Sequence, residues 1–85
     1  MHRNVISKDI VDRLAEISTD EEIPARAREE LRNALVALRR DDVDPLRAWR
    51  LFRAAEDLRL GVGSIESVVT AARACHPLVT KKGAA

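Results

Sequence analysis

Few of the side chains that perform catalysis or bind metal ions occur in this 85-residue sequence, and their spacing suits neither task. Cys75 and His76 are adjacent, so on a helix their side chains point about 100° apart and do not converge on one ion. The other histidine, His2, lies far away in the sequence. We therefore expect Cys75 to be a small buried apolar residue and predict no metal site.

The acidic residues include three neighbouring pairs: Glu21-Glu22, Glu29-Glu30 and Asp41-Asp42. Each pair is expected at a helix edge or on a solvated face, without the neighbouring base or apolar pocket that shifts a catalytic pKa. Gly61-Val62-Gly63 lacks the downstream lysine of a phosphate-binding loop and the preceding strand of a dinucleotide-binding fold. The sequence therefore predicts no enzymatic activity, no cofactor and no small-molecule substrate.

Charge is unevenly divided along the chain. Residues 1–44 carry 8 basic and 11 acidic side chains (−3), whereas residues 45–85 carry 7 basic and 3 acidic ones (+4). The overall charge of +1 does not mark a nucleic-acid-binding protein. The basic half is nevertheless suited to an acidic partner.

Six basic residues are candidate nucleic-acid contacts: Arg47, Arg50, Arg59, Arg73, Lys81 and Lys82. On a helix, Arg47, Arg50 and Arg53 spread over about 120° instead of forming one line. Glu56 and Asp57 are spaced to pair with Arg53. A solvated surface is one interpretation of these residues, and phosphate binding to RNA, DNA or a ribosomal surface is the alternative function.

Hydrophobic periodicity predicts an all-α fold, a small antiparallel bundle of four short helices at about 8–18, 24–40, 45–60 and 64–76. No segment alternates polar and apolar residues for long enough to indicate a strand. We expect one domain, residues 1–76, followed by a flexible C-terminal tail, residues 77–85. No apolar run approaches the roughly 18 residues of a membrane span, and no signal peptide is evident, so we expect a soluble cytoplasmic protein.

The predicted second helix carries one narrow apolar stripe, made of Ala27, Leu31, Ala34, Leu35 and Leu38. Because these positions recur with the helical period, the stripe is expected to face the core. Arg26 and Glu30 are spaced for an exposed ion pair. The second helix is therefore predicted to have one narrow apolar stripe.

Residues with strong positional preferences mark the helix ends. Ser7 and Ser64 suit the N-cap position, Pro24 suits the first helical position, and Asp44-Pro45 combines a cap with a first-turn proline. Gly61 supplies the left-handed residue that commonly ends a helix. Ile6 and Val11 are spaced for a hydrophobic staple around Ser7.

The turn between the last two helices invites comparison with a DNA-binding helix-turn-helix. The apolar anchors of that motif, six and nine residues after the turn glycine, would fall on Ser67 and Thr70. The small residue four positions before the glycine would be Asp57. The motif does not fit, so Gly61-Val62-Gly63 is interpreted as a structural junction in which Gly63 lets the chain reverse.

The predicted third helix is apolar on two sides. Leu51, Ala55 and Leu58 define a core-facing side. On another side lie the candidate interface residues: Leu46, Trp49, Arg50, Arg53 and Leu60. Tryptophan and arginine are enriched among the residues that dominate binding energy, so this side is either an interface or the wall of a central helix with Trp49 packed internally. A homodimer is the simplest interface hypothesis.

The predicted fourth helix carries a strip of small residues, Ser67, Ala71 and Ala74. Such a strip permits close helix approach, and a solvated alanine-rich side is the alternative interpretation.

The run TDEEIPARAREELRNALVAL, residues 19–38, together with Asp44-Pro45-Leu46-Arg47-Ala48, resembles a small uncharacterised archaeal family of all-helical proteins. Both share an Asp-x-x-Ile-Pro start to an Arg- and Ala-rich helix. The resemblance covers about a third of the chain and ends after Leu58, where Gly61-Val62-Gly63 replaces an acidic, proline-containing turn. It implies a helical bundle and an archaeal source, and it brings no activity or functional residues.

Together, these observations predict a non-enzymatic interaction module. The module is expected to self-associate, or to dock on a larger assembly, through helix 45–60.

Overall fold

The structure is a computed structural model that describes residues 8–40 and 43–75. Four helices form within these residues: α1 (Lys8–Ser18), α2 (Ala25–Arg39), α3 (Pro45–Arg59) and α4 (Ile65–Ala74). The all-α prediction is confirmed, and each helix begins and ends within two residues of its expected position. Ser7 with its staple residue Ile6, the Asp41-Asp42 connector, His76 and the tail 77–85 lie outside the described residues.

Each helix packs mainly against two others. The principal packings are α1 on α2, α2 on α4, α3 on α4 and α1 on α3. The order around the bundle is therefore α1, α2, α4, α3. This order places α2 and α3 at opposite corners although they follow each other in the chain, and it gives both of them the same two neighbours.

An aliphatic core fills the space between the helices. All five residues of the predicted α2 stripe are buried, and Ala37 joins them. From the other helices the core receives mainly Leu14, Ile17, Leu51 and Val68, each 0% exposed. Close packing of branched side chains at helical spacing is what holds a small all-α domain together.

Side-chain caps begin two of the helices as predicted. Asp44 accepts a hydrogen bond from the Leu46 amide at 3.0 Å and Pro45 occupies the first turn of α3. Ser64 accepts one from the Ser67 amide at 3.1 Å at the start of α4. The prediction for Pro24 is wrong by one position, because its ψ of 143° makes it the N-cap of α2 and the helix begins at Ala25.

The junction between α3 and α4 is a Schellman motif. Gly61 has a φ of +86°, and its amide donates to Leu58 while the Val62 amide donates to Asp57. A Cβ on Gly63 would lie 2.8 Å from the Leu58 nitrogen, so only glycine lets the chain turn this closely against the end of α3. The predicted roles of Gly61 in ending α3 and of Gly63 in letting the chain reverse are confirmed.

Within the described part of the chain, three ion pairs join residues that are distant in sequence. Glu30 of α2 pairs with Arg73 of α4 at 3.1 Å, and Glu56 of α3 pairs with Arg13 of α1 at 3.0 Å. Glu30 therefore pairs with an arginine of α4, and the local ion pair predicted between Arg26 and Glu30 is wrong. Exposed pairs of this kind contribute about 0.2–1 kcal/mol each.

Candidate functional site

The buried side of α3 determines which of its residues face outward. Ala48, Leu51 and Ala55 are each 0% exposed and point into the bundle. Leu58 and Phe52 flank them and are half-buried. Because the helix places successive residues 100° apart, the remaining side must face away from the core.

Four of the five predicted interface residues meet in one surface groove. Leu46, Trp49, Arg50 and Arg53 line a groove of about 420 Å³, together with Ala54 and Asp57 of α3 and Ser67 of α4. Trp49 is 47% exposed and Leu46 is 51% exposed. Trp49 is therefore not part of the closed core, and the groove presents apolar surface to solvent. We call these seven residues the α3 groove.

Leu60 is the predicted interface residue that does not line this groove. It is the C-cap of α3, 72% exposed and 11 residues beyond Trp49, or about 16 Å along the helix axis. It nevertheless lies on the same side of α3, about 20° around the axis from Trp49.

Sequence reasoning missed Val62 as a surface residue. Its side chain is 75% exposed beside Leu60, so the C-terminal end of α3 carries a second apolar surface. Its position between Gly61 and Gly63 could have indicated this exposure, because the two glycines have no side chains against which the valine could pack.

The indole of Trp49 is held by its neighbour on the same helix. The rings of Trp49 and Phe52 lie 5.5 Å apart between centroids, tilted by 33°. Phe52 in turn packs against the buried core cluster. This contact anchors the indole, because aromatic pairs at this distance are attractive, and it leaves Trp49 47% exposed.

The charged side chains of the α3 groove have no partner elsewhere in the described residues. Arg50 and Arg53 make no hydrogen bond or ion pair within residues 8–40 and 43–75, and neither does the Asp57 carboxylate. Sequence spacing predicted that Glu56 or Asp57 pairs with Arg53. That prediction is wrong, because Glu56 is bound to Arg13 and the Arg53 guanidinium remains in solvent.

A second, wider groove of about 880 Å³ runs between α3 and α4 beside the first. The predicted strip of small residues, Ser67, Ala71 and Ala74, lines it together with Ala54. Small side chains from both helices therefore leave a depression at this surface. The depression shares Arg50, Ala54 and Ser67 with the α3 groove.

The predicted nucleic-acid contacts are divided between surfaces. Arg47, Arg50 and Arg73 line the wider groove, whereas Arg59 pairs with Asp20 at 3.6 Å. Lys81 and Lys82 lie outside the described residues. Arg47 donates to the Ala74 carbonyl at 3.2 Å and Arg73 is bound to Glu30, so Arg50 alone of the four described candidates has no internal partner.

Cys75 follows the predicted structural role. It is 1% exposed, and burial raises the pKa of its thiol to about 11, against a smaller opposing effect of the Arg47 charge. The thiol is therefore protonated near neutral pH and unsuited to nucleophilic attack. In the part of the chain that the structure describes, no three histidine, cysteine or acidic side chains are grouped to hold a metal ion.

None of the four described helices is long and apolar enough to cross a lipid bilayer. No family model, curated protein or solved structure matches this chain. The archaeal resemblance stays a prediction.

Proposed function

We propose that this chain is a non-enzymatic interaction module that binds another protein surface through the outward side of α3. The observation that carries the proposal is the half-exposed Trp49, which lies in a groove between Leu46 and two arginines that have no partner among the described residues. The core is closed without it.

The chemistry of the α3 groove suits protein recognition. Tryptophan and arginine supply much of the energy in protein interfaces when partner surfaces exclude water around them. The contact with Phe52 orients the indole before binding, which lowers the entropy lost on association. Arg50 and Arg53 can donate hydrogen bonds to acidic groups of a partner without breaking any ion pair of the described residues.

Nucleic-acid binding has less support from the described residues. Arg59 and Arg73 are neutralised by carboxylates, and Glu66 lies in the same groove as Arg50. Phosphate binding depends on several uncommitted cations on one surface. The described α3 groove offers two, accompanied by Asp57 and a large apolar surface.

The experiment is site-specific photo-crosslinking in the cells of origin. A photoreactive amino acid replaces Leu46 in one variant and Val36 in the other. Val36 is the matched control, because it is an exposed apolar residue of α2 with 54% exposure against 51% for Leu46. We expect a discrete protein adduct from the Leu46 variant and none from the Val36 variant.

The proposal is overturned if neither variant, or both variants equally, give an adduct. An adduct of the Leu46 variant with RNA or DNA overturns it in favour of the nucleic-acid alternative. Purified chain titrated with RNA and DNA at increasing salt gives an independent check, because phosphate binding weakens steeply with salt.

A further inference from the structure

We propose that the surface bound by α3 is α3 of a second copy of this chain, docked antiparallel around a two-fold axis beside Arg53 and Ala54. This inference rests on the proposed function and names its partner. It follows from the order of charged, small and apolar residues along the exposed side of the helix.

Charge complementarity sets the register. Arg50 and Asp57 both line the α3 groove, and neither side chain has an ionic partner in the described residues. They are seven residues, or about 10.5 Å of helix rise, apart, which is too far for a pair within one helix. An axis midway between them places Arg50 of each copy opposite Asp57 of the other. The interface then gains two ion pairs.

The same antiparallel register also brings exposed apolar residues of the two copies together. Leu46 and Trp49 lie near the start of α3, whereas Leu60 and Val62 lie at its end. Antiparallel docking brings the first pair of one copy beside the second pair of the other, at both ends of the interface. It thereby covers four of the five large apolar side chains that are exposed in the described residues, leaving Val36.

Small residues lie on the α4 side of the proposed interface. Ala54 and Ser67 line the groove there, so the second helix meets little obstruction on that side. The two Arg53 side chains lie on either side of the axis, where their exposed guanidinium groups can extend away from each other into solvent.

Residues before α1 and after α4 are less suited than a second copy to fill the α3 groove. Residues 1–7 and 76–85 contain no acidic side chain and carry Arg3, Lys81 and Lys82. They do not complement the arginines of the groove, whereas a second α3 supplies Asp57 at the required position.

The test is sedimentation equilibrium of the purified full chain with a reciprocal charge swap. We expect the wild type to approach twice its 9.5 kDa mass as concentration rises. Arg50→Glu and Asp57→Arg should each raise the dimer dissociation constant about 10-fold or more, because each places like charges opposite one another twice. The double variant should return to within about threefold of the wild-type constant.

Arg26→Glu is the matched control, because Arg26 is an exposed α2 arginine without a partner in the described residues, and it should leave the constant unchanged. Circular dichroism of each variant verifies that the helices are retained. A double variant that shows the sum of both single defects overturns the register.

A wild-type chain that stays at 9.5 kDa up to about 1 mM overturns the dimer. The proposed function is judged separately by the Leu46 photo-adduct. An adduct of one chain with a different protein keeps the proposed function and removes the second copy, and an adduct of twice the chain mass supports both.

Discussion

α2 and α3 are equally long and lie at equivalent corners of the bundle, yet they use their surfaces differently. Each has 15 residues, and each packs against α1 and α4. α2 buries six apolar side chains, whereas α3 buries three and leaves Leu46 and Trp49 exposed. Because the neighbours are the same, the difference arises from the order of residues in α3 and not from its place in the fold.

The exposed apolar surface of α3 is therefore not explained by a small or incomplete core. The exposed side of α2 consists of polar and charged residues around a single large apolar one, Val36. α3 places a tryptophan and a leucine at the equivalent solvent-facing positions. Substitutions on the two helices should therefore separate folding from association.

The largest expected effect is on folding, from Leu31→Ala in α2. Leu31 is 0% exposed within the core cluster, so truncation leaves a cavity and should lower the free energy of unfolding by about 2–5 kcal/mol. A domain of this size has about 5 kcal/mol or little more to lose. Urea denaturation followed by circular dichroism measures the change.

Val36→Ala is the control on the same helix, and it should alter the free energy of unfolding by no more than about 0.5 kcal/mol. Equal effects of the two substitutions would contradict the division of α2 into a buried and a solvated side.

Trp49→Ala should have the opposite effects to Leu31→Ala, with a large loss of association and a small loss of stability. We expect the dimer dissociation constant to rise about 30-fold or more, because the indole is removed from both halves of the interface. The free energy of unfolding should fall by only about 1 kcal/mol, mostly through the lost contact with Phe52. Sedimentation equilibrium and urea denaturation at low concentration measure the two quantities.

A loss of stability in Trp49→Ala as large as that of Leu31→Ala would place the indole in the core and remove the difference between α2 and α3. A stable variant with unchanged self-association would leave the exposed side of α3 without a role.

The effect that is smallest near neutral pH concerns the buried Cys75, whose thiol makes stability depend on pH only in the alkaline range. Its pKa of about 11 exceeds the ordinary value of 9.0, so the unfolded chain loses the thiol proton first as pH rises. The stability contributed by the protonated thiol is fully present below pH 9.0 and is lost as pH rises towards 11. Denaturation midpoints across this range measure the decline, and Cys75→Ala should remove that part of it.

Thiol reactivity sharpens the same prediction. At about pH 8, native Cys75 should react at least about 10-fold more slowly than a cysteine placed at the exposed position of Val36, because burial lowers its thiolate fraction and its access to reagent. Similar rates at the two positions would show that the end of α4 does not exclude solvent.

The four helices and their ends could be predicted because their causes are local. The α2 stripe repeats with the helical period, and Asp44, Ser64 and Gly61 act on backbone groups within a few residues. Pro24 was misplaced by one position because proline fits both the cap and the first turn. The exposed side of α3 was also visible in the sequence, since Trp49 and Leu46 lie away from its core-facing residues.

Ion pairs were predicted poorly because distant neighbours compete with local ones. Spacing along one helix favoured Arg26 for Glu30 and Arg53 for Glu56, but these carboxylates are bound by Arg73 of α4 and Arg13 of α1. Pairs three or four residues apart contribute only about 0.2–0.5 kcal/mol, so a guanidinium that packing brings close readily replaces them.

The sequence by itself determined the helices, their caps, the aliphatic core and the two-sided character of α3, because each depends on residue type at short spacing. Only the tertiary structure decided that Trp49 stays half-exposed, that Arg50, Arg53 and Asp57 have no ionic partner within residues 8–40 and 43–75, and that Leu60 lies apart from the groove. These properties depend on which helices are neighbours, and the packing of α3 between α1 and α4 is a consequence of the whole bundle.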